Sequence, residues 1–219
     1  MSLNITVAAP WGIWQCSDHR LTDPRTGQLV DDMSVKHVAL HCPDGTGLLA
    51  YAGIGRVNEV YISDWVREVL RGTTRSLDES LIYLREQATG SIGPLAAKGS
   101  YWHMFTIGAF LQGQPWVAQI KNFESRSPGN IGPVLAKFVT AVMQIKNEPQ
   151  VFVWGAPAVS LKDFHRLSEV IKKRPRHPDV YHGLLAKINA KAATHPKYGS
   201  LISPACIIYI LFATGRPPS

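Results

Sequence analysis

The chain is poor in cysteine. Cys16, Cys42 and Cys206 are the only three in 219 residues, widely spaced and without a CxxC pair. An odd, scattered set argues against a disulfide framework or a zinc cage. Long apolar runs are missing as well. The longest, Ala205 to Ala213, falls far short of the roughly 20 residues that span a bilayer, and it reads as one buried strand. No charged-plus-apolar signal segment opens the sequence, so a reduced, cytoplasmic protein with no membrane role is expected. Charge is sparse, at 18% of residues with a net balance of +7. Its basic density is concentrated in Lys172, Lys173, Arg174, Arg176 and His177. That tract carries no interleaved aromatics for base stacking, so it reads as a solvated helix end, and no nucleic-acid partner is expected.

Common catalytic signatures are absent too. There is no GxSxG, no Walker loop and no HExxH. His37 and His41 are four apart on a strand and share a face only loosely, and His19 reads as structural. Gly53-Ile54-Gly55 lacks the third glycine of a dinucleotide fingerprint. No cofactor and no metal are expected.

What is present suffices for a sizeable core: 45% of residues are apolar, and the length sits at the upper end of one domain, residues 1–219. Leu3, Ile5, Val7 and Ala9 alternate with Asn4, Thr6 and Ala8, the period of a strand. Pro10-Trp11-Gly12 turns the chain into a second strand, Ile13 to Ser17. After a polar excursion from Thr22 to Asp32, Val35 to His41 and Leu48 to Ala52 form a hairpin around Pro43 to Gly47. Ile62, Trp65, Val66, Val69 and Leu70 then share a helical face, and Ser76 to Glu79 is a capping box opening a second helix. Strands resume as a hairpin, Tyr101 to Leu111 with Trp116 to Lys121. Phe138 to Lys146 and Val151 to Trp154 read as another hairpin, although Leu135, Ala136, Val139 and Val142 also suit a helix. Helical faces return at Leu161 to Ile171 and Val180 to Ala192, and Ala205 to Phe212 is a last strand.

Runs of antiparallel hairpins alternating with helix pairs argue for layers. The expected fold class is α+β, a four-layer α-β-β-α sandwich of two antiparallel sheets flanked by helix pairs. A doubly wound chain is excluded, because strands do not alternate singly with helices.

The N-terminal quarter brings several motifs together. Ser2 follows the initiator Met. Gly12 turns the first hairpin, Asp18-His19-Arg20-Leu21-Thr22 follows the second strand, Lys36 opens the third, and Ala52-Gly53 ends the fourth. This set resembles the β-type subunits of the proteasome and their simpler bacterial relatives, within the N-terminal-nucleophile (Ntn) hydrolases. Members begin with a nucleophilic Thr or Ser at the mature N-terminus, followed by a glycine turn, a D-x-R-x-T segment, a lysine on the third strand and an A-G-x turn. The resemblance weakens toward the C-terminus. The family's Asp-x-x-Ser-Gly-Gly stretch corresponds here to His195-Pro196-Lys197-Tyr198-Gly199-Ser200, and its Ser-Gly segment to Gly155-Ala156-Pro157.

The resemblance implies Ser2 as nucleophile, with Asp18, Lys36 and Gly53 in the catalytic set and Arg20 and Ser200 as supporting residues. A serine hydroxyl needs a base to take its proton. A free α-amine has a pKa of about 8, low enough to serve. A nearby Lys36 ammonium lowers that pKa further, and Asp18 is expected to keep Lys36 protonated. The Gly53 N–H would bind the developing oxyanion. On this reading the substrate is a peptide or small amide, and the chain forms a homo-oligomer, with Tyr61, Trp65 and Trp102 as candidate contact residues. A second reading is a catalytically inactive, proteasome-like scaffold or interaction subunit. There Lys36 and Asp18 are an ion pair holding two strands in register, and Gly53 merely allows a turn.

Overall fold

The computed structural model describes residues 2–23, 25–72, 74–127, 130–173 and 178–213. The chain is mixed α/β with antiparallel sheets and five α-helices among those residues. Two strands open it, β1 (Leu3–Ala9) and β2 (Gly12–Asp18). A short pair, β3 (Leu21–Thr22) and β4 (Leu29–Asp31), occupies the excursion that the sequence leaves without regular structure. The hairpin β5 (His37–Cys42) and β6 (Gly45–Ala52) follows, then a second short pair, β7 (Arg56–Val57) and β8 (Val60–Tyr61). Three helices come next: α1 (Ile62–Val69), α2 (Leu77–Ser91) and α3 (Gly93–Gly99). Strands β9 (Met104–Leu111), β10 (Gln114–Ser127), β11 (Asn130–Gln144) and β12 (Gln150–Gly155) precede helices α4 (Leu161–Lys173) and α5 (Pro178–Ala192), and β13 (Cys206–Phe212) closes the order.

The strands form a four-stranded sheet, β12-β1-β2-β13, and a five-stranded sheet, β11-β10-β9-β6-β5. The expected hairpin between Phe138–Lys146 and Val151–Trp154 is therefore corrected. β11 pairs with β10 and β12 with β1, in different sheets. The ambiguous stretch around residues 133–146 is strand, because β10 offers it a continuous hydrogen-bonding partner from Trp116 to Lys121. Helix α3 is an addition to the sequence reading. Pro94 near its start and Gly99 at its end look like loop punctuation, yet Pro is well suited to a first helical turn. At α2 the anticipated capping box is in place: the Ser76 hydroxyl accepts from the Glu79 N–H, and the Glu79 carboxylate accepts from the Ser76 N–H. The tract Arg174 to His177 and the tail from Gly215 lie outside the described residues, while Lys172 and Lys173 end α4 exposed.

Strand periodicity sorts side chains between faces. Leu49, Tyr51, Phe105, Ile107 and Ile120 of the larger sheet pack with Val66, Leu84, Ala88 and Ala96 of α1 to α3. Ile5, Val7, Trp14 and Cys16 of the smaller sheet pack with Leu167, Ile171, Tyr181 and Leu185 of α4 and α5. A third cluster joins Ala8 and Ile13 of the smaller sheet to Phe110 and Val117 of the larger one. The approach is close: a Cβ on Gly108 of β9 would lie 2.5 Å from Ile13 Cγ2. Gln15 crosses the gap, donating to the Thr106 carbonyl at 3.1 Å. Tyr61, Trp65 and Trp102, expected as contact residues, are half-buried in the chain's own packing. Trp65 stacks on Phe105, Trp102 meets Phe123 edge-on, and the Tyr61 hydroxyl accepts from Arg56.

Candidate functional site

Ser2 precedes β1, Asp18 is the last residue of β2, and Lys36 immediately precedes β5. Each belongs to a different strand end, and the two sheets bring those ends together. Ser2, Asp18 and Lys36 are all buried, at 2%, 1% and 1% exposure. The Lys36 ammonium donates to Ser2 Oγ at 2.8 Å, to Asp18 Oδ1 at 3.1 Å and to the Arg20 carbonyl at 2.5 Å. Three acceptors match the three N–H groups of an ammonium.

Asp18 is held from several sides. Oδ2 accepts the Leu3 N–H at 2.7 Å. Oδ1 accepts the Arg20 N–H at 2.8 Å and the Ser203 N–H at 3.3 Å, besides Lys36. These bonds tie the N-terminal strand, the turn after β2 and the approach to β13 to one carboxylate. Arg20 braces the same corner. Its guanidinium grips Asp32 through Nε at 3.1 Å and a terminal nitrogen at 3.2 Å, and donates to the Ser200 carbonyl at 2.9 Å. The guanidinium pulls the Asp32 carboxyl below its ordinary range. Ser200 thus meets Arg20 through its backbone.

Burial is the largest influence on Lys36 and pulls its pKa below the ordinary lysine value, against the opposing pull of Asp18. The ammonium is fully enclosed, and the carboxylate that faces it already serves three backbone donors. The Lys36–Ser2 contact works in either proton state. A charged Lys36 donates to the serine oxygen, and a neutral one accepts the hydroxyl proton.

Ser2 is fixed from its other side by β12. Its carbonyl accepts the Ala156 N–H at 2.9 Å. Gly155 sits opposite Leu3 with φ +108°, and a Cβ there would collide with the Ser2 carbonyl oxygen. Only glycine accommodates both demands without strain. Ala156 therefore reaches Ser2 through its backbone, while His195 and Tyr198 lean on each other with ring centres 5.0 Å apart.

Gly53 has φ +112°, and a Cβ on it would collide with the Trp102 carbonyl oxygen. Among the described residues no hydrogen bond joins Gly53 to Ser2, Asp18 or Lys36. Next to Lys36, His37 is buried with both ring nitrogens unpartnered, its ring 4.8 Å from that of Tyr209. His41 is exposed, and His19 Nδ1 lies 3.2 Å from the Ser34 carbonyl. Sequence reasoning missed Asp32, Ser203 and the pinning role of Gly155. A basic Arg20 beside an Asp31-Asp32 pair is a faint signal for the first. No local signal marks Ser203, which meets Asp18 across 185 positions. Among the described residues no group of three or more His, Cys, Asp or Glu side chains could hold a metal, and no helix is long and apolar enough to cross a membrane.

No protein-family model matches the sequence, and no curated protein sequence matches it. Solved structures do. An Anbu (ancestral beta-subunit) protein from Yersinia bercovieri superposes with a TM-score of 0.58 at 11% identity, over 96% of this chain and 80% of that one. The fold is a proteasome-like Ntn fold. An Anbu (Gly-1) mutant from Hyphomicrobium sp. strain MC1 gives a TM-score of 0.55 at 13% identity, over 97% of this chain and 82% of that one. Thiobacillus denitrificans BPH, solved in complex with epoxomicin, gives 0.53 at 9% identity, over 97% of this chain and all of its own. At such identities the likeness carries the proteasome-like fold and leaves the chemistry to this chain's own residues.

Proposed function

We propose that this chain is an N-terminal-serine hydrolase of peptide or other amide bonds, built as one domain whose sheets and helices stack in four layers. The stacking is supported by the three apolar clusters, one on each helix-covered face and one between the sheets. The observation that carries the function is the enclosed contact of the Lys36 ammonium with both Ser2 Oγ and Asp18. It holds a positive charge against the Ser2 oxygen. Removal of Met1 frees the Ser2 α-amine. Ser2 Oγ then attacks the amide carbon of the substrate while its proton passes to that amine, directly or through a water. Collapse of the tetrahedral intermediate breaks the C–N bond, and the departing nitrogen takes the proton. Water, deprotonated by the same amine, cleaves the resulting ester and regenerates the serine. Lys36 lowers the amine's pKa and steadies the serine oxygen, Asp18 orients Lys36, and Arg20 holds both through its carbonyl and its N–H. The Gly53 N–H is the donor assigned to the oxyanion, a contribution of about 3 kcal/mol for such groups. The reading places the protein in the cytoplasm as a homo-oligomer.

The test is covalent labelling by an epoxyketone or β-lactone probe, with the adduct mapped by mass spectrometry after intact mass has established that Met1 is gone. Labelling at Ser2, lost in Ser2→Ala with an unchanged melting curve, is the expected result. A chain lacking Met1 that stays unlabelled, or a label on Cys16, overturns the assignment.

A further inference from the structure

Edge strands usually carry protection against pairing with another chain. On β11 that protection covers only the first part. The Phe138 N–H, turned away from β10, is taken by Thr89 of α2 at 3.1 Å. A Cβ on Gly93 of α3 would collide with the Ala136 carbonyl oxygen, so the helix backbone shields the strand there. Beyond this point the strand continues to Gln144 with Val139, Ala141, Val142, Met143 and Gln144 all exposed. Exposure reaches 41% at Val139, 53% at Val142 and 50% at Met143, on both faces of the strand. Lys137 and Lys146 flank this stretch, and it contains no charge, proline or glycine of its own.

Hydrogen-bond parity fixes which groups are free. The Ile145 N–H donates to the Pro115 carbonyl at 2.9 Å, and the register with β10 runs unbroken from Gln144 to Val139. In an antiparallel pair, inward and outward groups alternate. Odd-numbered residues of this stretch therefore bond to β10, and Thr140, Val142 and Gln144 point their N–H and C=O groups outward. That set is self-complementary about Val142. An antiparallel second strand of identical sequence places Val142 opposite its own copy and Thr140 opposite Gln144, forming about six backbone hydrogen bonds. Between them Met143 falls opposite Ala141, large against small, in the closer pairs. The flanking lysines miss each other: Lys146 comes opposite Phe138, and Lys137 opposite Asn147. Pairing stops where Thr89 already occupies the Phe138 N–H.

We propose that Thr140 to Gln144 is a two-fold interface at which a second copy of this chain adds its β11, joining two five-stranded sheets into one. A contact of this length is at the small end of interface sizes, so exchange between monomer and dimer, or between larger assemblies built on this dimer, responds to dilution.

The test uses the full-length chain. Sedimentation velocity over a concentration series is compared for wild type and Val142→Lys, which sets two like charges face to face at the two-fold axis. A melting curve checks that the variant is folded. A Val142→Cys chain is treated with a short thiol cross-linker alongside wild type, whose Cys16, Cys42 and Cys206 control for the native thiols. Expected are a self-associating wild type, loss of one association step in Val142→Lys, and a cross-linked dimer specific to Val142→Cys with the linkage mapped to position 142 in both copies. A wild-type monomer at every concentration overturns the proposal. So does an oligomer that Val142→Lys leaves intact, or one in which position 142 cross-links to any other site. Labelling of Ser2 is independent of all these outcomes.

Discussion

His37 and His103 make the protein sensitive to mild acid. Burial pushes the pKa of each imidazole from the ordinary 6.5 to about 3. His37 is wedged between Lys36 and the Tyr209 ring, and His103 packs against Phe105 with ring centres 4.6 Å apart. In the unfolded chain each binds a proton near pH 6.5, and in the folded chain only near pH 3. Between those values the unfolded state holds more protons. The stability that the neutral rings contribute is therefore complete above pH 6.5 and drains away as the pH falls toward 3. From neutral pH to about pH 5 the loss is about 2 kcal/mol per histidine, or about 4 kcal/mol together. The acidic groups held low by partners, Asp31, Asp32 and Asp163, have an ordinary value of 3.8 and lose their contribution only below it. A domain of this size shifts its Tm by roughly 2–4 °C per kcal/mol. Thermal melts followed by circular dichroism should thus fall by roughly 8–16 °C between about pH 7 and about pH 5. His37→Leu removes one of the two sites without leaving a polar ring in the gap, and its drop should be about half as large. Equal drops in wild type and His37→Leu would refute the argument, because the ring would then be solvated or paired in the folded state.

Replacing Lys36 with Met keeps the apolar stem and removes the charge. Probe labelling should slow by orders of magnitude, and the pH at which labelling reaches half its plateau should rise, because the ammonium no longer depresses the Ser2 amine. Unchanged labelling would mean that Lys36 is only an ion-pair partner of Asp18. The same change leaves a buried carboxylate without its counter-charge, a loss of about 3–5 kcal/mol that melting curves would register. Gly155→Ala forces a Cβ into the Ser2 carbonyl, so it should displace Ser2 and cut labelling while costing about 1–3 kcal/mol of backbone strain. A wild-type labelling rate in that variant would show that Ser2 does not depend on β12 for its position.

The legible parts of the fold were those whose signal is local. Alternation in Leu3 to Ala9 and the glycine turns announced the hairpins β1–β2 and β5–β6, and Ser76 with Glu79 announced the start of α2. The misread parts depend on partners distant in sequence. Residues 133–146 carry apolar spacing that serves helix or strand, and only the β10 edge decides between them. The link from β11 to β12 looks like a hairpin turn around Asn147 to Pro149, yet it carries the chain from one sheet to the other, a choice set by the packing of Ile145 with Ala8 and Ile13. At the site, the spacing of Ser2, Asp18 and Lys36 conveyed meaning only as a set. Arg20 and Ser200 entered that set as support, whereas Ser203 was silent, because it contributes a backbone atom, which any residue type supplies.

That reliance on backbone explains how a chain terminus can hold a serine in place. Free ends fray unless tied down, and Ser2 lies one residue before the first strand. Two bonds across two strands do the tying: the Leu3 N–H to Asp18 on β2, and the Ser2 carbonyl to the Ala156 N–H beyond β12. Both flank the Ser2 side chain and leave its hydroxyl to Lys36. Asp18 is thus a structural anchor through Leu3 and Ser203 and the electrostatic partner of Lys36 through the same carboxylate. A change at Asp18 cannot separate the two roles, because one carboxylate orders the terminus and fixes the charge beside it. Lys36 separates them: it touches Ser2 through side chains alone, so its removal spares the backbone ties. The Lys36→Met labelling profile therefore reports on chemistry, whereas any Asp18 variant reports first on whether the N-terminal strand is still in place.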